Sequence, residues 1–124
     1  MTCVRRELPP ELSAVGEARH WASSQCAEVL DEEARQVLEL LVSEVVANAV
    51  LHGAGWLTVA LGCAPGEVVV AVEDASSVPP QVKTVGPEAT GGRGVALVEA
   101  LAREWGWQPH PPGKRVWFRL TDGA

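Results

Sequence analysis

Apolar positions recur along this chain at two periods. Leu12, Val15, Ala18, Ala22 and Cys26 follow the three-and-four spacing of an amphipathic helix, which predicts a first helix from Glu11 to about Cys26. Pro10 suits a first turn, where its missing N–H is not needed. Asp31-Glu32-Glu33 opens a second helix: Asp31 serves as N-cap, and the acidic first turn offsets the helix dipole. That helix runs through LELLVSEVVANAVLHG and ends near His52-Gly53, with Gly53 as the stop. From Gly55 to Glu73 the period shortens to two. Leu57, Val59 and Leu61 form one strand, and Val68, Val70 and Val72 another, joined at Pro65-Gly66. The second strand is apolar on both faces, which predicts an interior position in its sheet.

The remaining stretches are assigned by what surrounds them. Met1 to Leu8 reads as a short edge strand. Ala75 to Gly92 has no period and is rich in Pro, Ser, Gly and Thr, the composition of a lid or binding loop. Val95, Val98, Leu101, Ala102 and Trp105 mark a third helix, with Gly106 as its stop. Trp107 to Gly113 reads as a turn with three prolines. Lys114 to Leu120 alternates Val116, Phe118 and Leu120 against Arg115, Trp117 and Arg119, a final strand. Trp105, Trp107 and Trp117 are expected to share one cluster. The order predicts an α/β sandwich in one domain, residues 1–124, with helices packed on one face of a mixed sheet.

Composition narrows the class. The chain has 124 residues, enough for one core, and 47% apolar with 21% charged residues fits a globular domain. A net charge of −6 argues against direct nucleic-acid binding, which needs a basic patch. No apolar run approaches the roughly 18 residues of a membrane span, and the N-terminus lacks a signal-peptide core, so a cytoplasmic location is expected. Cys3, Cys26 and Cys63 form no CxxC pair and are expected as reduced, partly buried thiols.

The candidate chemistry starts in the second helix. It is apolar almost all round, and such a helix is normally buried. Glu44, Asn48 and His52 nevertheless follow one another at one-turn intervals and share a slowly drifting face. An unpaired polar group in a dry core costs roughly 2–7 kcal/mol. The stripe therefore faces a structural network, water or a ligand. In the ligand reading Asn48 offers an oxygen to Mg²⁺ and Glu44 acts as general base. His52 has two readings, a partner for the helix C-terminal dipole and a ligand contact. Gly91-Gly92-Arg93-Gly94 at a helix start offers backbone N–H groups and a cation to an anion, or is a simple turn. Asp74 at a strand end reads as an Asx-turn, or as an acceptor for a ligand amine. The chain carries no Walker loop, nucleophile elbow or zinc spacing.

Taken together, SEVVANAVLHG resembles the N box of the GHKL ATPase superfamily. VVVAVEDASSVPP stands where its first glycine box would be, GGRGVALVEALAREWGW resembles its second, and GKRVWFRL resembles the closing strand of one branch. That branch comprises the anti-sigma-factor serine kinases and their small actinobacterial relatives. The likeness covers about Glu11 to Leu120, with three motifs in order. It implies a Bergerat-type fold binding ATP with Mg²⁺. It implies Asn48 as the Mg²⁺ ligand, Glu44 as general base, Asp74 at the adenine amine, and Gly92 and Gly94 along the phosphates; the residue reading adds Arg93 and His52 as candidate nucleotide contacts. It further implies phosphorylation of a serine on an anti-anti-sigma (STAS-type) partner, sequestration of a sigma factor, and a homodimer. A non-catalytic module that acts by docking is the alternative. The chain departs from the DxGxG pattern, since Ala75, Ser76, Ser77 and Val78 follow Asp74, and it carries Arg115 where a threonine is usual.

Overall fold

The computed structural model describes residues 2–52, 55–76, 78 and 93–123, with backbone alone at 93–96. The elements are β1 (Thr2–Leu8), α1 (Ser13–Gln25), α2 (Glu32–His52), β2 (Leu57–Ala64), β3 (Glu67–Asp74), α3 (Arg93–Leu101), β4 (Glu104–His110) and β5 (Gly113–Thr121). The strands form one sheet in the order β1-β2-β3-β5-β4. β1 lies at an edge and β3 in the centre, as their patterns predict.

The α/β sandwich forms, but its sheet is antiparallel throughout rather than mixed. The reason lies in the last hairpin. β3 and β4 run the same way and are joined through α3, yet β5 folds back between them. The one pair that a helical crossover would have made parallel is thereby separated.

Strand alternation assigns the two faces. Val68, Val70 and Val72 stand in register with Leu120, Phe118 and Val116, and with Cys63, Leu61 and Val59, all buried beneath the helices. α2 seats Leu38, Leu41, Val42, Val45 and Val46 on this surface. α1 presents Ala14, Ala18 and Ala22, all fully buried, so its backbone approaches closely. Leu12, expected on the buried face, is exposed, because the turn after Pro9 places it ahead of the first helical turn. Asp31 caps α2 as expected, its Oδ1 accepting the Ala34 N–H at 2.8 Å. The same carboxylate accepts the Gly123 N–H, and Asp122 accepts the Asp31 N–H, which ties the start of α2 to the C-terminal turn. The proposed stop at Gly53 lies outside the described residues.

The third helix ends at Leu101 instead of Trp105, and the expected turn at 107–113 is largely strand. Helical spacing at Trp105 is overridden by pairing with β5: Trp105 faces Phe118 and Trp107 faces Val116. Gly106 between them does not stop a helix. Its missing side chain makes room for Trp117, whose Nε1 would lie 2.9 Å from an added Cβ. Pro109 is tolerated because β4 is an edge strand, leaving Pro111-Pro112 as the turn. Alternation also splits the expected tryptophan cluster, with Trp105 and Trp107 on the helix-facing side and Trp117 on the other. No helix among the described residues is long and apolar enough to cross a membrane.

Candidate functional site

α2 packs against α3, β3 and β5, so the three elements carrying the candidate motifs adjoin. The polar stripe does not enter the dry core. The buried residues of α2 run from Ala34 through Leu38, Leu41 and Val42 to Val45 and Val46, while Glu44 and Asn48 are half-buried at their border and His52 is exposed. The desolvation cost anticipated for a fully buried stripe is therefore not incurred. Glu44 and Asn48 remain open to solvent or to a ligand.

Asp74 behaves differently. It ends β3 on the helix-facing side and is almost wholly buried. Its Oδ1 accepts the Ser76 N–H at 2.9 Å, which closes the Asx-turn that the sequence allowed. Lys114 Nζ donates to both Oδ1 and Oδ2 at 3.1 Å, a buried ion pair between the end of β3 and the start of β5. A carboxylate has about four lone-pair sites. Among the described residues the turn and the lysine use three of them, which leaves one for a further donor.

Gly113 makes this corner possible. It stands beside Lys114, and an added Cβ there would overlap the Asp74 carbonyl oxygen and approach Ala75 Cα at 2.8 Å. β5 can begin this close to β3 because position 113 has no side chain.

One residue earlier, alternation turns Glu73 to the face away from the helices. It is nevertheless 1% exposed, covered by two arginines and a histidine. Arg115 donates from Nε at 3.0 Å and Nη2 at 2.7 Å, Arg5 donates at 2.8 Å, and His110 Nε2 lies 2.9 Å away. Burial pushes this carboxyl up. The hydrogen bond and charge of Arg115, followed by the charges of Arg5 and His110, outweigh it and hold it below the ordinary value of 4.5. A carboxyl depressed in the folded state contributes stability above its unfolded pKa, and that contribution is lost as pH falls through the folded value. Thermal melts from pH 7 to pH 3 should therefore show an acid limb steepening below about 4.5. Glu73→Gln should flatten that limb, and an unchanged limb would refute the assignment.

Of the residues expected at the site, Glu44, Asn48, His52 and Asp74 lie within the described structure. Gly92 lies outside the described residues, as do most of the proposed lid and the side chain of Arg93. The backbone at Arg93 and Gly94 opens α3, while Gly91, like Gly92, lies outside the described residues. The sequence reading missed Lys114, Glu73 and Gly113. Lys114 was legible in part, because it extends the Val116, Phe118 and Leu120 face by one step and so points beneath the helices. Nothing local marks Glu73, whose partners come from three different strands.

Among the described residues no group of three or more His, Cys, Asp and Glu could hold a metal. Asn48 carries an amide oxygen, a ligand type that hard divalent cations take together with phosphate and water oxygens. The family model for a histidine kinase-like ATPase domain matches residues 8–120. No curated protein matches the chain.

Proposed function

This chain belongs to the histidine kinase-like ATPase domain family, and on that premise we propose that it is an ATP-binding regulator of the anti-sigma-factor serine kinase type. The observation that carries the site is the position of Asp74. It is a buried carboxylate at the end of the central strand, facing the helix layer in which α2 leaves Glu44 and Asn48 half-buried. Asp74 accepts the adenine amino group on its remaining lone pair. Asn48 would hold Mg²⁺ through its amide oxygen, and the cation would offset the phosphate charge. Backbone N–H groups at Gly92 and Gly94, with the Arg93 cation, lie along the phosphates. His52 lies near the nucleotide.

Glu44 takes the proton from the hydroxyl of a serine on an anti-anti-sigma (STAS-type) partner. The serine oxygen then bonds to the γ-phosphorus as the bond to the ADP oxygen breaks. The same protein sequesters a sigma factor and works as a cytoplasmic homodimer. Calorimetric titration with ATP and Mg²⁺ tests the nucleotide site. Binding is expected for the native chain, with at least about a tenfold loss in Asn48→Ala, the scale of one lost charge-assisted contact. Absence of ATP and ADP binding at millimolar concentration would sink the proposal. Transfer of labelled phosphate to the partner should disappear in Glu44→Ala, and transfer that survives removes Glu44 as the base.

A second reading keeps the fold and the nucleotide but acts by docking alone. The Asp74–Lys114 pair favours it, because a lysine already shares the carboxylate expected at adenine. So does the run Ala75, Ser76, Ser77 and Val78 in place of glycines, since these residues adopt left-handed backbone less readily. Binding without transfer would identify this second function.

A further inference from the structure

Two of the three cysteines, 37 positions apart in sequence, meet in the fold. Cys26 caps the C-terminus of α1 and Cys63 lies near the end of β2, with their sulfurs 3.6 Å apart. Both are free thiols, and Cys26 has no exposed surface. Cys63 is 8% exposed and lines an open cavity of about 430 Å³. Thr2, Val4, Gln25, Val29 and Pro65 complete much of its wall. Cys3 stands next to this region in sequence register, opposite Gly62, but alternation turns it to the other face of the sheet.

We propose that Cys26 and Cys63 form a peroxide-sensitive dithiol, which closes into an intramolecular disulfide joining α1 to β2. The sulfurs need to approach from 3.6 Å to about 2.05 Å, a movement on the scale of a χ1 adjustment. Oxidation starts at Cys63, because it is the thiol of the pair that the cavity reaches. Cys63 Sγ takes one oxygen from hydrogen peroxide, leaving a sulfenic acid and releasing water. Cys26 Sγ then attacks that sulfur, the S–O bond breaks, and the hydroxyl departs with the Cys26 proton as a second water. The thiols together lose two electrons and the peroxide gains them. Burial, then the hydrogen bond with Cys63, pushes the Cys26 thiol up to about 12. This makes Cys26 the less reactive thiol of the pair, consistent with attack by peroxide at Cys63 first. The bridge encloses all of α2 in a covalent loop and restrains the layer on which the site is built.

The full chain carrying Cys3→Ser is treated with hydrogen peroxide, which leaves the proposed pair as the remaining thiols. The expected product has no covalent link between chains and is lighter by two hydrogens per chain, with no thiol open to alkylation after denaturation and a linked Cys26–Cys63 peptide after digestion. Its melting midpoint should rise by about 10 °C, as expected for a bridge closing a loop of this length in a domain of this size. Dithiothreitol should return both thiols and the original midpoint. Three outcomes overturn the proposal: both thiols still alkylated after peroxide, oxygen additions to Cys63 without a linked peptide, or a bridge between two chains. Cys26→Ser supplies the second check, since Cys63 should then stop at a sulfenic acid trapped by dimedone.

Discussion

Replacing Lys114 by methionine should destabilise the fold by about 3–5 kcal/mol, the loss typical when one partner of a buried ion pair is removed. Lys114 and Asp74 retain 9% and 4% of their side-chain exposure, so water cannot readily take over the missing partner. Methionine keeps most of the lysine stem, and the loss therefore reports the stranded carboxylate rather than a cavity. Adding Asp74→Asn should recover much of the stability, because the remaining polar group is then neutral and still accepts the Ser76 N–H. Urea titration of both variants measures this. A loss below about 1 kcal/mol for the single variant, the range of surface pairs, would show that water reaches the corner.

Gly113→Ala should cost about 3 kcal/mol or more, the upper range for overpacking, because the added methyl meets backbone rather than a movable side chain. The atoms in the way are the carbonyl of Asp74 and the Cα of Ala75, and clearing them means parting β5 from the end of β3. The same substitution at Gly16 in α1 gives the opposite sign. There an added Cβ finds only Arg19 Nη2, at 3.7 Å, and alanine gains roughly 0.5–1 kcal/mol over glycine within a helix. Thermal melts of the two variants should therefore shift in opposite directions. A neutral Gly113→Ala would overturn the close approach at this corner.

The two substitutions address one corner from different sides. Lys114 compensates the charge of Asp74, and Gly113 lets the strand that carries Lys114 come close enough to do so. If the family role of Asp74 at adenine holds here, the ligand amine shares the carboxylate with Lys114, and changes at 114 alter nucleotide affinity as well as stability.

Several features could be read from local pattern because their cause is local. Period-two alternation with Pro65-Gly66 between the runs marked the β2–β3 hairpin. The apolar stripe and the Asp31 cap marked α2, and the ordered motifs at 44–48, 74 and 91–94 led to the family that the match over residues 8–120 shows. The end of α3 was misplaced because Trp105 satisfies helical spacing and strand alternation equally well. What decides is the hydrogen-bonding edge of β5, more than ten residues away.

The sequence by itself determined which segments are helices and strands at the core, and which polar residues depart from an apolar surround. Those properties depend on residues within a few positions of one another. Only the tertiary structure decided that β5 inserts between β3 and β4, leaving the sheet wholly antiparallel. It alone supplied Asp74 and Glu73, which alternation already sets on opposite faces, with partners from other strands. It alone brought Cys26 against Cys63. Charges, thiols and close backbone contacts act through distance in space, and a one-dimensional pattern carries that distance only once the chain has closed on itself.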